Sequence, residues 1–126
     1  MMNDESKPRT DLKVRTKHFA LRIIRLYSAL PTGVAAQTIG KQMLRSGMSV
    51  GEQYREGCRT RSDAEFISKI ESALQELEET TYWLELRTDA EIVKVERLKE
   101  LLCEANELAA ILTASVKTVK GCTGRS

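Results

Sequence analysis

Apolar residues recur every three to four positions through four long segments of the chain. This spacing places the apolar side chains of each segment on one face of an α-helix. The predicted helices span about 11–29, 34–57, 63–87 and 90–119. Four such helices joined by short turns are typical of an all-α, up-down-up-down antiparallel four-helix bundle, which we predict for residues 11–120. The polar ends, 1–10 and 121–126, are predicted to be disordered tails.

Two local signals mark helix ends within this pattern. Pro31 ends the first helix near Leu30, because proline disfavours helical geometry in the residue before it. Ser62 and Glu65 have the spacing of a capping box, in which the Ser62 hydroxyl accepts a hydrogen bond from the Glu65 amide. This is the best-defined helix start in the chain.

Small and polar residues interrupt the apolar face of the second helix. Gly40, Gly47 and Gly51 line its flank, and each glycine costs about 1 kcal/mol relative to alanine inside a helix. We expect the close approach of a neighbouring backbone to offset that cost. Ser46 and Gln53 lie at the edge of the stripe, where we expect hydrogen bonding across a helix interface.

Composition agrees with a single helical domain of 126 residues. Aromatic residues make up only 5%, so the core must be mainly aliphatic. Charge is uneven along the chain. Residues 1–62 carry twelve basic and five acidic side chains, whereas residues 63–90 carry two basic and eight acidic ones. This asymmetry predicts charge complementarity between helices or subunits, and it leaves a basic surface for a polyanion.

The three cysteines, Cys58, Cys103 and Cys122, have neither an even count nor CxxC spacing. That argues against a secreted disulfide framework and against a zinc site. No apolar run approaches the ~18–20 residues that span a bilayer. The N-terminus lacks the apolar segment of a signal peptide. We therefore expect a cytoplasmic protein with reduced thiols and no membrane partner.

Catalytic groups are scarce. General acid–base or triad chemistry needs a histidine beside a nucleophile and a carboxylate, and no spacing supplies this for His18, the only histidine. The glutamates of the third helix lie off its apolar stripe and lack the Glu-x-x-His motifs of di-iron bundles. We expect no enzymatic activity, no metal and no cofactor.

Basic residues form a stripe on the second helix. Its members, which lie within about 40° on the helical wheel, are Lys41, Arg45, Arg55 and Arg59. Arg61 follows the helix, and the secondary candidates on the first helix are Arg15, Arg22 and Arg25. Clustered arginines suit phosphate contacts, so we predict a nucleic-acid site of shape- and charge-driven type. The alternative is an ordinary charged face, or salt bridges to the acidic helix of a neighbouring subunit.

Tyr82, Trp83 and Leu86 project off the apolar stripe of the third helix. Aromatic residues are enriched at the centres of protein interfaces, so we predict an oligomer interface here. The alternative is that they are surface aromatics without a partner.

Three runs carry a family resemblance: RSGMSVGEQYREG, RSDAEFISKI and EETTYWLEL. They resemble the four-helix-bundle proteins encoded in intervening sequences of bacterial 23S ribosomal RNA genes. That family is similar to the accessory variability protein of diversity-generating retroelements. The resemblance spans about 16–118. It implies a bundle without known enzymatic activity that often assembles as a ring-shaped homopentamer. In the retroelement relative, a basic surface engages nucleic acid and the reverse transcriptase, and the resemblance extends that expectation to this chain.

The matching positions on the second helix are Arg45, Ser46, Ser49, Tyr54, Arg55 and Glu56. Those on the third helix are Ser62, Glu65, Phe66, Tyr82, Trp83, Leu84 and Glu85. The chain departs at Gln53, where family members commonly carry asparagine. The extra methylene predicts a longer or redirected hydrogen bond.

Two functions follow as hypotheses. The first is a non-enzymatic, homo-oligomeric adaptor that presents a basic surface to RNA, as an accessory to the reverse transcriptase of a diversity-generating retroelement. The second is a protein-interaction or structural oligomer encoded in a 23S rRNA intervening sequence, without nucleic-acid binding.

Overall fold

Four helices pack side by side around one core in the computed structural model, which describes residues 8–89 and 95–123. The helices are α1 (Pro8–Ser28), α2 (Val34–Cys58), α3 (Asp63–Asp89) and α4 (Val95–Thr123). Each helix contacts the next in chain order, and α4 returns to contact α1. The described residues contain no strand. The predicted all-α four-helix bundle is therefore confirmed.

Helix ends differ from the sequence prediction at two places. α1 begins at Pro8 rather than near residue 11, because proline is well suited to the first turn, where its missing amide donor would be unused. α4 continues to Thr123 rather than ending near residue 119. Parts of both predicted tails are thus helical. The remaining tail residues and the predicted start of the fourth helix lie outside the described residues, at 1–7, 124–126 and 90–94.

The start of α3 follows its local sequence. The Glu65 amide donates to the Ser62 Oγ at 3.1 Å, and the Phe66 amide donates to the Ser62 carbonyl at 3.0 Å. Asp63 and Glu65 place negative charge in the first turn, where the helix dipole favours it. Of the two hydrogen bonds in the predicted capping box, the one accepted by the Ser62 hydroxyl is confirmed.

The core is mainly aliphatic, with Phe19 and Tyr54 as its buried aromatic residues, and each helix contributes to it. Ile23, Met43, Ile70 and Leu108 are completely buried, one from each helix. The adjacent Ile24 is 37% exposed. One step along a helix turns a side chain by about 100°, which carries Ile24 away from the core.

The glycine flank of α2 faces α1. A Cβ atom at Gly40 would lie 2.5 Å from Leu30 Cδ1, and one at Gly47 would lie 3.0 Å from Ile23 Cγ1. Close packing at these glycines is therefore confirmed. The prediction that a backbone makes the approach is wrong at both positions, because the nearest atoms belong to side chains.

A buried hydroxyl pair joins α2 to α3. The Ser46 and Thr80 oxygens lie 2.8 Å apart, and both side chains are completely buried. Each hydroxyl also lies within hydrogen-bond distance of a carbonyl of its own helix. The expected bond across the helix interface is confirmed for Ser46. Gln53 makes no side-chain hydrogen bond to any described residue.

Candidate nucleic-acid interface

Charge is segregated between the helices. The α1–α2 portion, residues 8–58, holds nine basic and three acidic side chains, a net charge of +6. α3 holds two basic and eight acidic ones, a net charge of −6. Because α1 contacts α2 and α4 but not α3, the basic first helix and the acidic third helix occupy opposite corners of the bundle.

Arg45 is held by the acidic helix of its own chain. Its Nη2 donates to Glu79 Oε2 at 2.6 Å, and its Nη1 lies 3.4 Å from Glu76 Oε1. The hydrogen bond with Glu79 raises the pKa of Arg45 and lowers the pKa of Glu79. A salt bridge from this stripe to an acidic third helix was one of the sequence alternatives. It occurs here within one chain rather than between subunits.

Two of the α1 arginines face glutamates of α4, and only Arg15 forms hydrogen bonds with them. Arg15 Nη2 donates to Glu104 at 2.7 Å and to Glu107 at 2.8 Å, and its Nε also donates to Glu104. Arg22 Nη2 lies 3.6 Å from Glu100 Oε1. These contacts join the α1–α4 seam, so Arg15 in particular is less free to bind a phosphate than its sequence position indicated.

The other predicted basic residues remain open to solvent. All five are exposed, and within the described part of the chain none forms an ion pair with a carboxylate. They are Arg25, Lys41, Arg55, Arg59 and Arg61. Only Arg55 makes a side-chain hydrogen bond, from Nη2 to the Lys13 carbonyl at 3.3 Å. The hydrogen bond with Lys69 lowers the pKa of Glu56, and the charge of Arg59 lowers it further, so Arg59 has an electrostatic partner without a close ion pair. The structure thus divides the predicted site into residues held by ion pairs and residues outside them.

The Arg55 contact brings two further lysines to the same side of the molecule. Lys13 and Lys17 are exposed on α1, one turn apart, and neither pairs with a described carboxylate. Sequence reasoning missed them, although their i, i+4 spacing placed them together. We call Lys13, Lys17, Lys41, Arg55 and Arg59 the basic face.

The predicted interface trio is divided by the structure. Tyr82 is 54% exposed, whereas Trp83 is partly buried against the core and Leu86 is half-buried. Trp83 Nε1 lies 3.4 Å from Glu79 Oε2, so its indole turns toward the Arg45–Glu79 pair. The expectation that all three project outward is wrong for Trp83 and Leu86.

Tyr82 borders a groove of about 600 Å³ between α3 and α4. Leu74, Leu77 and Ala105 supply apolar surface within it, and acidic residues border it. The acidic positions are Glu78 and Glu85. This α3–α4 groove is the remaining candidate for a protein partner.

A buried cation was not foreseen. Arg87 is completely buried, and its only polar contact with a described residue runs from Nη1 to Met43 Sδ at 3.4 Å. Its Nε and Nη2 have no acceptor among the described residues. Burial lowers its pKa to about 10, so the side chain remains charged at neutral pH. Arg87 lies seven residues after Thr80 and three after Leu84, and these spacings return to the same face of a helix. Its position in the sequence therefore indicated a core residue.

Groups for metal or acid–base chemistry do not assemble in the described ranges. No cluster of three or more His, Cys, Asp or Glu side chains there is placed to hold a metal ion. His18 is exposed, and Cys58 and Cys103 are free thiols. The side chain of Cys122 lies outside the described residues. No helix in residues 8–89 and 95–123 has the length and hydropathy needed to cross a membrane.

A family model covers most of the bundle. The model described as 23S rRNA-intervening sequence protein matches residues 10–114, from the first turn of α1 to well inside α4. The chain belongs to this family. The resemblance of the three sequence runs is therefore confirmed as a family relationship.

A solved structure supports the same assignment. The chain is 36% identical to a protein of unknown function from the S23 ribosomal protein family of Bacteroides thetaiotaomicron VPI-5482, whose crystal structure was determined at 1.70 Å resolution. The match covers 84% of this chain and 98% of that chain, with a TM-score of 0.80. No functionally curated protein matches the chain.

Proposed function

We propose that this family member is a non-enzymatic, homo-oligomeric adaptor whose basic face binds RNA. The observation that carries the proposal is the exposure of the basic face along α1, α2 and the α2 C-cap. Lys13, Lys17, Lys41, Arg55 and Arg59 are exposed, and none forms an ion pair with a carboxylate of the described chain. Unpaired cations on rigid helices attract phosphates without the energetic cost of breaking existing salt bridges.

The helical scaffold favours recognition of RNA shape and charge over base sequence. No aromatic side chain belongs to the basic face, so it lacks the stacking platforms that read single-stranded bases. Lysines and arginines on two packed helices have fixed spacing, which suits contacts to the phosphates of a folded RNA. A cytoplasmic location is part of this proposal.

A reverse transcriptase of a diversity-generating retroelement is the partner that we propose for the adaptor–RNA complex. What supports this proposal is the resemblance, proposed from the sequence, of the intervening-sequence family to the retroelement accessory protein. The proposal further includes assembly as a homopentamer, because a closed ring would repeat the basic face around its axis. Repetition of one weak charged site raises total affinity through multivalency.

The test is an RNA titration across a range of salt concentrations. Arg55→Ala with Arg59→Ala removes two cations of the basic face. Lys99→Ala with Lys117→Ala removes two exposed cations of α4 and serves as the matched control. We expect the first pair to weaken binding and to reduce the log–log salt slope by roughly 1.4–1.8. Equal affinity of the two double variants, or binding that is independent of salt, would contradict the proposal.

A second candidate is a protein-interaction module without RNA binding, and the α3–α4 groove favours it. The groove combines apolar surface from Leu74 and Leu77 with the exposed ring of Tyr82. Such a mixed apolar and acidic surface suits a partner with a basic rim. Wild-type protein that assembles but binds no structured RNA at low salt would favour this function over the first.

A further inference from the structure

A cleft opens between α1 and α4 near the end of the bundle where α1 stops. It encloses about 230 Å³ and is bounded by Arg22, Arg25, Leu26, Glu100 and Leu101. Leu26 and Leu101 belong to the core, with exposures of 5% and 4%, and they form an apolar floor. The cleft therefore joins an apolar surface to two guanidinium groups.

Much of the hydrogen-bonding capacity of these arginines is unused. Arg25 is exposed and forms no ion pair with a described carboxylate. Arg22 Nη2 lies 3.6 Å from Glu100 Oε1, which is beyond hydrogen-bond distance. Arg15, two turns earlier on α1, is instead fully engaged at 2.7 and 2.8 Å by two glutamates. The cleft thus lies where the ion pairs between α1 and α4 become longer than a hydrogen bond.

A third arginine adds positive charge at the same end of the bundle. Because successive helices run antiparallel, the last turns of α1 and α3 lie at one end, and Arg87 belongs to the last turn of α3. Its guanidinium is buried, and in the described part of the chain its Nε and Nη2 have no acceptor. A buried charge is screened less by salt than a surface charge, so Arg87 contributes to the potential of this end.

We propose that this cleft binds one phosphodiester unit of an RNA strand, with Arg22 and Arg25 donating to the phosphate oxygens and a base resting on Leu26 and Leu101. The planar donor fork of arginine fits phosphate oxygens, and the face of a base packs well on apolar surface. Free phosphate has no base to pack on the two leucines, so the diester of a nucleotide strand should bind more tightly than free phosphate does. The inference rests on the proposed RNA-binding function and adds a contact outside the basic face.

The experiment titrates the full chain with the dinucleotide adenylyl-adenosine, followed by the leucine methyl signals in NMR spectra. We expect the signals of Leu26 and Leu101 to shift. Arg25→Ala should weaken binding about tenfold, the loss expected for one charge-assisted contact. Lys117→Ala, which removes an exposed cation distant from the cleft along α4, should leave the affinity unchanged.

Two outcomes would overturn the cleft assignment. One is an absence of shifts at Leu26 and Leu101, and the other is inorganic phosphate competing as well as the dinucleotide does. If long RNA binds the wild type and Arg22→Ala with Arg25→Ala leaves that affinity intact, the cleft inference fails while the basic face stands. If the dinucleotide shifts the leucine signals, and long RNA is weakened by Arg22→Ala with Arg25→Ala but not by Arg55→Ala with Arg59→Ala, the cleft stands and the basic face fails. If long RNA does not bind at all, both proposals fail.

Discussion

At the scale of single residues, Arg87 is a buried charge that has no counter-ion among the described side chains. Within the described residues its guanidinium reaches only the weak acceptor Met43 Sδ, although the side chain has no solvent exposure. An uncompensated buried cation destabilises a fold. A protein that keeps such a residue therefore gives up stability at this position.

Arg87→Met removes the charge and keeps an unbranched apolar side chain. We expect the free energy of unfolding to rise by about 1–4 kcal/mol, measured by urea denaturation. Arg87→Lys retains the buried charge and should not stabilise. A less stable Arg87→Met variant would show that a bound anion or another acceptor compensates the wild-type guanidinium.

The Arg45–Glu79 pair at the α2–α3 seam makes the free energy of unfolding depend on pH. Arg45 lowers the pKa of Glu79 in the folded protein below its usual 4.5. The pair therefore stabilises the fold fully above pH 4.5. This stabilisation is lost as the pH falls through the pKa that Glu79 has in the folded protein. Arg45→Met should cost under about 1 kcal/mol at pH 7, since both side chains are partly exposed. Urea denaturation of the two proteins should converge toward pH 3. A stability difference that persists unchanged at pH 3 would show that lost packing, not lost charge, causes it.

At the scale of elements, the α1–α2 seam depends on residues without side chains. Gly40→Ala would place a Cβ atom 2.5 Å from Leu30 and 2.8 Å from Tyr27. The overlap should outweigh the roughly 1 kcal/mol gain in helix propensity, for a net loss of about 1–2 kcal/mol in thermal or urea unfolding. Gly121→Ala is the control, because its Cβ would meet nothing within 4 Å. Equal stability of the two variants would refute tight packing at this seam.

The α2–α3 seam differs in chemistry from the α1–α4 seam. Ser46 and Thr80 bond in its buried centre, and Arg45 closes its outer edge. Arg15 closes the α1–α4 seam, where a cleft remains at one end. The ion pair at the outer edge of the α2–α3 seam and the hydroxyl pair in its buried centre together favour one register between the two helices.

At the scale of the whole molecule, substitution of the exposed Tyr82 tests whether the α3–α4 groove is the contact between subunits. Tyr82→Ser removes apolar area from the α3–α4 groove without disturbing the core, whereas Trp83→Ala would also lose core packing. We expect a lower mass in light scattering and unchanged helical content in circular dichroism. Met48→Ser is the matched control, since Met48 is 47% exposed on α2. An unchanged mass for Tyr82→Ser would exclude the groove as the subunit contact.

The period of apolar residues determined the four helices, their faces and the bundle class. Helix starts such as Ser62–Glu65 followed from local hydrogen-bonding capacity, which a few adjacent residues define completely. Arg87 also lay on an extension of the core period, but its charge made the apolar pattern seem to end before it. These properties depend on neighbours within about two helical turns, so the chain alone specifies them.

Which charges remain free was decided only by tertiary structure. Arg45 finds its carboxylates 31 and 34 positions away, and Arg15 finds its own 89 and 92 positions away. Such pairs depend on the rotation and register of one helix against another, which follow from packing of the core and leave no trace in the period of either helix. The same rotation turned Trp83 toward α2 and left Tyr82 outside. For that reason the sequence could nominate eight basic residues, and only the packed bundle could divide them into engaged and available ones.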